Sequence, residues 1–530
     1  MKRWGLLFLL LLLLLPLGSG CRNSCLEGYE LVSGSCQPAD DDDTAPSDDD
    51  DTVLPDDDDD TVLPDDDDDD DDDTVPPDDD DVTPQPAEPV LAVVGPHFVD
   101  PEGGVVILRG LNLAGNSKVP PFLPLDPVTQ LDLLDALPGW GVNVLRLVFT
   151  WEAYEPEKGV YDEDYLAVLT AVADAAWERG VYVILDFHQD GFSRYHAGGC
   201  GDGFPQWAAH PGASLDTPDN GLLCAAWAVA VAADPDVHDS FSHFYLDTTG
   251  VRTRYLELWG QLATHFADRP GVIGFDLMNE PWGWEASELG PLYEDAAVVI
   301  RAADPGAILF IEGHASTNNG VIQTLLPEPT FDNYVYSPHF YETSVIGTHL
   351  FTGLPTATDL AFWTMTGKAE EWNVPLFLGE FGAHADTING AAYVDLQYER
   401  LDDHFASGAQ WNWTPGWTEE DRDGWNHEDL SITDDSGELR SNFRVRAGPR
   451  RIAGLPLQFD TTNESVLLRW DSNPSAGATE IFLPADLLWE TSSVATEVEG
   501  QVSCSYDPGL RLLSCTASET GEVSVLAGPG

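Results

Sequence analysis

The chain has 530 residues, with 93 Asp and Glu against 23 Lys and Arg, for a formal net charge of −70. Asp runs between residues 40 and 81 hold 26 of those charges, and the rest of the chain is still strongly acidic, which excludes nucleic acid and anionic membranes as partners. With 43% hydrophobic residues, the length suffices for one large barrel and a small extra domain.

The chain opens Met1-Lys2-Arg3, continues as ten apolar residues from Leu6 to Leu15, and reaches Cys21 through Gly18-Ser19-Gly20. A bilayer span takes about 20 apolar residues, so residues 1–20 read as a secretory signal. Small residues leading into a cysteine are similar to a bacterial lipoprotein signal, which would make Cys21 a lipidated outer-membrane anchor. Simple cleavage and release is the alternative. Setting Cys21 aside leaves three local cysteine pairs, Cys25–Cys36, Cys200–Cys224 and Cys504–Cys515, each closing a short loop in an oxidising compartment. No CxxC or His-rich spacing is present, so no metal is expected. Residues 21–39 form a short Cys-bridged segment. Residues 40–89 repeat an Asp run followed by Thr-Val-Leu-Pro; like charges with nothing to bury make a disordered spacer.

From residue 90 to 448 short apolar strands alternate with helical spacing. Val105 to Asn112 reads as a first strand, with Lys118 just beyond its end, where a ligand contact is expected. Gly141 to Phe149 is the second, and it carries Arg146 among apolar residues, a costly placement unless the charge is paired. Tyr165 to Gly180 is helical, with Leu166, Leu169, Ala173 and Trp177 on one face. The third strand, from Val181, ends in His188-Gln189-Asp190, which places His188 where a barrel strand meets its active face. A long loop closed by Cys200 and Cys224 then shapes the cleft. The fourth strand, Val272 to Met278, stops at Asn279-Glu280-Pro281, since proline has no N–H for pairing. Ala307–Glu312 and Tyr334–Tyr341 are the fifth and sixth strands. The seventh, from Val374, ends in Gly379-Glu380-Phe381-Gly382, and Ser407–Trp413 is the eighth. Alternation of this number predicts an α/β (β/α)8 TIM barrel. Two glutamates at the mouths of two strands are what hydrolysis of a glycosidic bond requires: one protonates the leaving oxygen, the other attacks the sugar or activates water.

These motifs resemble glycoside hydrolase family 5, a family of retaining (β/α)8 enzymes. The resemblance implies Glu280 as acid/base and Glu380 as nucleophile, with Arg146 holding Glu380 ionised and the Tyr341 hydroxyl of His339-Phe340-Tyr341 beside it. It also implies Trp411, rather than Trp413, under the bound sugar, and Asn279 on the 2-hydroxyl. Segments 107–122, 151–166, 185–190, 336–342, 423–432 and 446–457 are similar to the endoglycoceramidase branch, which cuts between a reducing-end glucose and ceramide. That branch implies that Lys118 and Asp190 contact this glucose. The sequence departs from it at Ala447-Gly448-Pro449 and in a longer, Cys-bridged loop 191–250. The implied partner is a glycan or glycolipid; no cofactor is needed, and the protein is expected to be a monomer.

Residues 449–530 alternate short β segments with turn residues and predict a small all-β sandwich, read as a structural appendage. The competing functions are an endo-β-glucanase or related polysaccharide hydrolase, and a non-catalytic glycan-binding surface protein.

Overall fold

The computed structural model describes residues 29–32, 35–38, 86–218, 224–462, 464–484 and 494–529. It divides into two compact units, Met1–Thr83 and Pro84–Gly530. In the first, Tyr29–Val32 pairs antiparallel with Ser35–Pro38. The expectations for the signal segment, Cys21, the Cys25–Cys36 bridge and the acidic run to residue 85 fall outside the described residues.

The second unit is built on eight parallel strands: β1 (Arg109–Leu113), β2 (Val144–Phe149), β3 (Tyr182–Phe187), β4 (Val272–Asp276), β5 (Ile308–Ile311), β6 (Tyr334–Tyr336), β7 (Phe377–Leu378) and β8 (Ser407–Trp413). Their order is β6-β5-β4-β3-β2-β1-β8-β7, and a parallel bridge between Tyr336 and Leu376 closes β6 onto β7. Helices such as Glu163–Glu178 and Val251–Phe266 lie between strands in sequence, as a parallel barrel demands.

The period of two along a strand explains the pattern within β2 and β3. Leu145, Leu147 and Phe149, like Val183, Leu185 and Phe187, pack with the helices in the main core. Val144 and Ile184 face inward and join Ile308, Val335, Phe377 and Ala409 in an apolar layer at the barrel floor, plugged by Leu91 and Phe98. Two residues further along the same inward faces stand Arg146 and Asp186, so a charged layer rests directly on the apolar one.

Two expectations change. The first predicted strand is really two: Val105–Val106 pairs with strand residues Arg451 and Ile452, and only Arg109–Leu113 enters the barrel. The apolar run is continuous because both pieces are buried, so hydropathy alone could not reveal the switch of sheet. In the helix Glu163–Glu178, Leu166, Leu169 and Ala173 are buried, but Trp177, in the last turn, is 36% exposed and lies against Tyr182.

After the barrel come β9 (Gly448–Ile452), β10 (Gly454–Thr461), β11 (Val466–Ser472), β12 (Thr479–Phe482), β13 (Val494–Glu499), β14 (Val502–Asp507), β15 (Leu512–Ala517) and β16 (Gly521–Pro529). They form two antiparallel sheets. One has the order β10-β11-β16-β13; the other runs β14-β15-β12-β9 and continues into Val105–Val106, His97–Val99 and Ala92–Val94. Leu468, Trp470 and Val525 from the first meet Ile452, Ile481 and Leu513 from the second in a sandwich core. Cys504 and Cys515, directly opposite on β14 and β15, are joined by a disulfide. Arg451 pairs with Asp100 at 2.5 Å, tying β9 to the segment that precedes the barrel.

Candidate active site

The centre of the charged layer is Arg146, completely buried on β2. Its guanidinium donates from Nε to Asp276 at 2.8 Å, from Nη1 to Asn112 at 3.0 Å and Glu380 at 2.9 Å, and from Nη2 to Asp186 at 2.8 Å and Asn279 at 3.0 Å. All five N–H donors are used, which answers the objection to a cation on a buried strand. The fork spans β1, β2, β3, β4 and the end of β7, so one side chain sets the register of the catalytic face. Burial and the neighbouring Arg146 act oppositely on Asp276; burial prevails and pushes it up to about 7.

Glu380 lies just beyond β7. It accepts from Arg146 and, through Oε2, from the Tyr341 hydroxyl at 2.9 Å. The glycines around it are forced by packing. A Cβ on Gly379 would stand 2.8 Å from His339 Nε2, and one on Gly382 would stand 2.4 Å from the Trp411 carbonyl oxygen. Side chains there would push out two site residues, which is the physical content of the Gly-Glu-Phe-Gly spacing.

Glu280 follows β4 in a left-handed backbone conformation, φ +39°, a strained state for a residue with a side chain. Gln189 holds this turn by donating from Nε2 to the carbonyls of Asn279 at 2.7 Å and Glu280 at 3.0 Å. The Glu280 N–H donates to Glu312 at 3.2 Å. One ligand atom each from Glu280, His339 and Glu380 lies within 4.8 Å of the others, so the two strand-end carboxylates share one pocket. Burial, then the charge of Asp190, raises Glu280 to about 7. His339 sits among three carboxylates, with Nδ1 3.1 Å from Glu280 and 3.6 Å from Glu380 and Nε2 3.3 Å from Glu312. Burial lowers it to about 3, so the ring is neutral. Burial also raises Glu312 well above the usual range, and the neutral ring, protonated at Nδ1, can donate to Glu280.

On the other side of the pocket Lys118, nearly fully buried, reaches Asp190 at 2.6 Å and Asp202 at 3.8 Å and lies over the rings of Trp425 and Trp411. Burial opposes its charge, but Asp190 and Asp202 more than compensate and raise it. Burial works against the Asp190 anion too, yet Lys118 and His188 leave it below the usual carboxylate range. Burial carries Asp202 the other way, well above it, and raises Glu428 to about 7. His188 shares a hydrogen bond with Asp186 at 2.7 Å and stacks on Trp411. Burial and Lys118 oppose its protonation, but Asp186 and Asp190 raise it to about 10, so it is a cation. The donor set His188, Asp190 and Asp202 is close enough to hold a metal, but the Lys118 ammonium already supplies the positive charge it would take. Asp202 comes from the loop closed by the Cys200–Cys224 disulfide, and Asn426 donates to the Cys200 carbonyl at 2.8 Å.

The structure therefore gathers every barrel residue singled out from the sequence: Lys118, Arg146, His188, Asp190, Asn279, Glu280, His339, Tyr341, Glu380 and Trp411. Trp413 packs instead on Trp140 in the core. The side chain of Asn279 is engaged by Arg146 and by the Gln189 carbonyl at 3.2 Å, leaving one amide hydrogen to offer. Sequence reasoning missed Glu312, Gln189, Asp202, Trp425 and Glu428. Glu312 carried the same signal as the two glutamates that were found, a carboxylate ending an apolar strand.

The model of the cellulase family (glycosyl hydrolase family 5) matches residues 99–416, and that of the glycoside hydrolase family 5 C-terminal domain matches residues 446–526. Endoglycoceramidase I of Rhodococcus hoagii is 29% identical over 472 residues, covering 83% of this chain and 89% of its own. The structure of endo-glycoceramidase II from Rhodococcus sp. in complex with ganglioside GM3 superposes with a TM-score of 0.70 at 25% identity, over 82% of this chain and 100% of that one. An endogalactoceramidase structure gives 0.65 at 26% identity, over 83% and 99%. With the catalytic-domain model spanning more than half of the sequence, the chain belongs to glycoside hydrolase family 5 and is a glycosidase.

Proposed function

We propose that this enzyme cleaves, with retention of configuration, the β-glycosidic bond between an oligosaccharide's reducing-end sugar and ceramide. The observation that carries the retaining reading is the approach of Glu280 and Glu380 oxygens to within 4.8 Å. Retaining pairs stand about 5–5.5 Å apart, whereas inverting pairs leave about 6.5–9.5 Å for a water. Glu380, oriented by Arg146 and Tyr341, attacks the anomeric carbon as the bond to the leaving oxygen breaks. Glu280, protonated below about pH 7, gives its proton to that oxygen. Water then enters, loses a proton to Glu280 and displaces Glu380, returning both groups to their starting states. Asn279 offers its remaining amide hydrogen to the 2-hydroxyl. Lys118, Asp190, His188 and Trp411 form the wall against which the sugar lies.

The ceramide reading is supported by likeness to the Rhodococcus enzymes over most of the chain. Its test is incubation with lactosylceramide and, separately, galactosylceramide, with mass detection of ceramide. Release of ceramide is the expected result. Cleavage of a soluble β-glucan with both lipids left intact would replace the reading with that of a polysaccharide hydrolase. The basic start, apolar run and Cys21 further support export and lipid anchoring at the cell surface, testable by metabolic labelling with a fatty acid, which Cys21→Ser abolishes.

A further inference from the structure

The mouth of the barrel is divided. Beyond strands β1, β3 and β8 stand Lys118, Asp190, Asp202 and Glu428. Beyond β5 and β6 the sequence changes character: residues 313–327 and 343–358 contain no Asp, Glu, Lys or Arg, in a chain that is 22% charged overall. These are adjacent loops on the catalytic face, since β5 and β6 are neighbours. They display Val321, Leu325 and Leu354 to solvent, and the flanking loops after β4 and β7 add Trp284 and Ile388; Trp284 is 75% exposed and Leu325 80%.

This apolar rim is held in place from within. Glu285, next to Trp284, accepts from the N–H groups of His314 at 2.9 Å and Leu325 at 2.6 Å and from the Thr324 hydroxyl, fastening the β4 loop to the β5 loop. Tyr341 N–H donates to the Asn318 carbonyl at 3.3 Å, and Ile388 and Phe351 exchange backbone bonds with the other loop at 2.9 Å, stitching β5 to β6 and β6 to β7. With the loop backbones fastened in this way, the exposed apolar side chains gain from burial without the cost of ordering the loops themselves.

We propose that the loops following β4 to β7 dock the enzyme on the surface of an electrically neutral lipid bilayer, with Trp284, Val321, Leu325, Leu354 and Ile388 entering the headgroup boundary. The inference rests on the glycolipid reading above and adds the surface on which that substrate is met. Charge selects the occupant. The protein carries 70 net negative charges, so an anionic membrane is repelled, while two loops free of carboxylates can approach zwitterionic headgroups. The rim also begins four residues after Glu280, on the side of the group assigned to protonate the leaving oxygen.

The test is flotation of the full chain carrying Cys21→Ser, so that no acyl chain contributes, with phosphatidylcholine vesicles free of glycolipid. Binding that persists in 1 M salt and falls when phosphatidylserine is added is expected, because the attraction is apolar and the repulsion ionic. Leu325→Asp and Leu354→Asp should each weaken it about tenfold, with hydrolysis of a soluble aryl glycoside unchanged. No flotation of the parent, or equal flotation of the variants, would overturn docking. Ceramide release in detergent without vesicle binding removes docking and leaves the glycolipid reading; vesicle binding without ceramide release does the reverse.

Discussion

At the scale of single residues, the site assigns different work to carboxylates by environment. Glu380 receives Arg146 and Tyr341, while Glu280 is raised to about 7 by burial and Asp190. Glu380→Gln should lower kcat by at least about a thousandfold, as expected for loss of a nucleophile, measured on a soluble aryl glycoside in which general acid help matters least. Glu280 works as an acid only while protonated, so activity must fall as pH rises through about 7. A kcat/KM profile should show that alkaline limb, and Glu280→Gln should lose it along with most turnover on poor leaving groups. Glu312 offers a sharper case. Burial pushes its carboxyl well above the usual range and it accepts from the Glu280 N–H, so Glu312→Gln, which keeps an acceptor there, should hold kcat within about tenfold. Glu312→Ala strands the Glu280 N–H, an omission costing about 1–3 kcal/mol, and should cut kcat far more. Equal losses in the two variants would mean that Glu312 is needed as an anion.

At the scale of elements, the strand-end motifs were readable because apolar strands and their terminal carboxylates are local signals. Arg146 was readable for the same reason, as a charge that a buried strand tolerates only with partners. Glu428 and Asp202 were not, because their loops reach Lys118 from far along the chain and no spacing encodes that meeting. Gln189 was hidden between two flagged neighbours, His188 and Asp190. Yet it holds the strained turn at Glu280, and Gly203 leaves it room, since a Cβ there would stand 2.3 Å from the Gln189 Cβ. Gln189→Ala should therefore lower kcat about 10- to 100-fold by misplacing the acid, with little change in KM on a small aryl glycoside. An unchanged kcat would show that the turn holds without it.

At the scale of the whole molecule, burial of carboxyls in the barrel mouth links stability to pH. Asp276, Glu280 and Glu428 are raised to about 7 and Asp423 to about 6, against about 4 in an unfolded chain. Between those values the folded protein holds more protons than the unfolded one, so the stability these groups contribute is full below about pH 4 and is lost as pH rises through about 7. Asp190, shifted downward, stays ionised in both states across that window, whereas His339 and His384, lowered by burial to about 3 and about 4, add stability as pH rises to about 6.5 and offset part of the loss, leaving the more numerous carboxyls to set the direction between pH 5 and 8. Thermal melts at pH 5 and pH 8 should show the lower Tm at pH 8; the reverse order would contradict these shifts. The (β/α)8 architecture and the trailing β sandwich were both legible in the alternation of segments. The sharing of a sheet between residues 92–106 and β9 was not, because pairing across some 340 residues leaves no mark on local hydropathy. That shared sheet has a practical corollary. A fragment cut after residue 447 would strip Val105–Val106 of its partners Arg451 and Ile452, leaving bare backbone on which further copies can stack. The catalytic half of this protein is thus not portable, and attempts to produce it alone should yield precipitate.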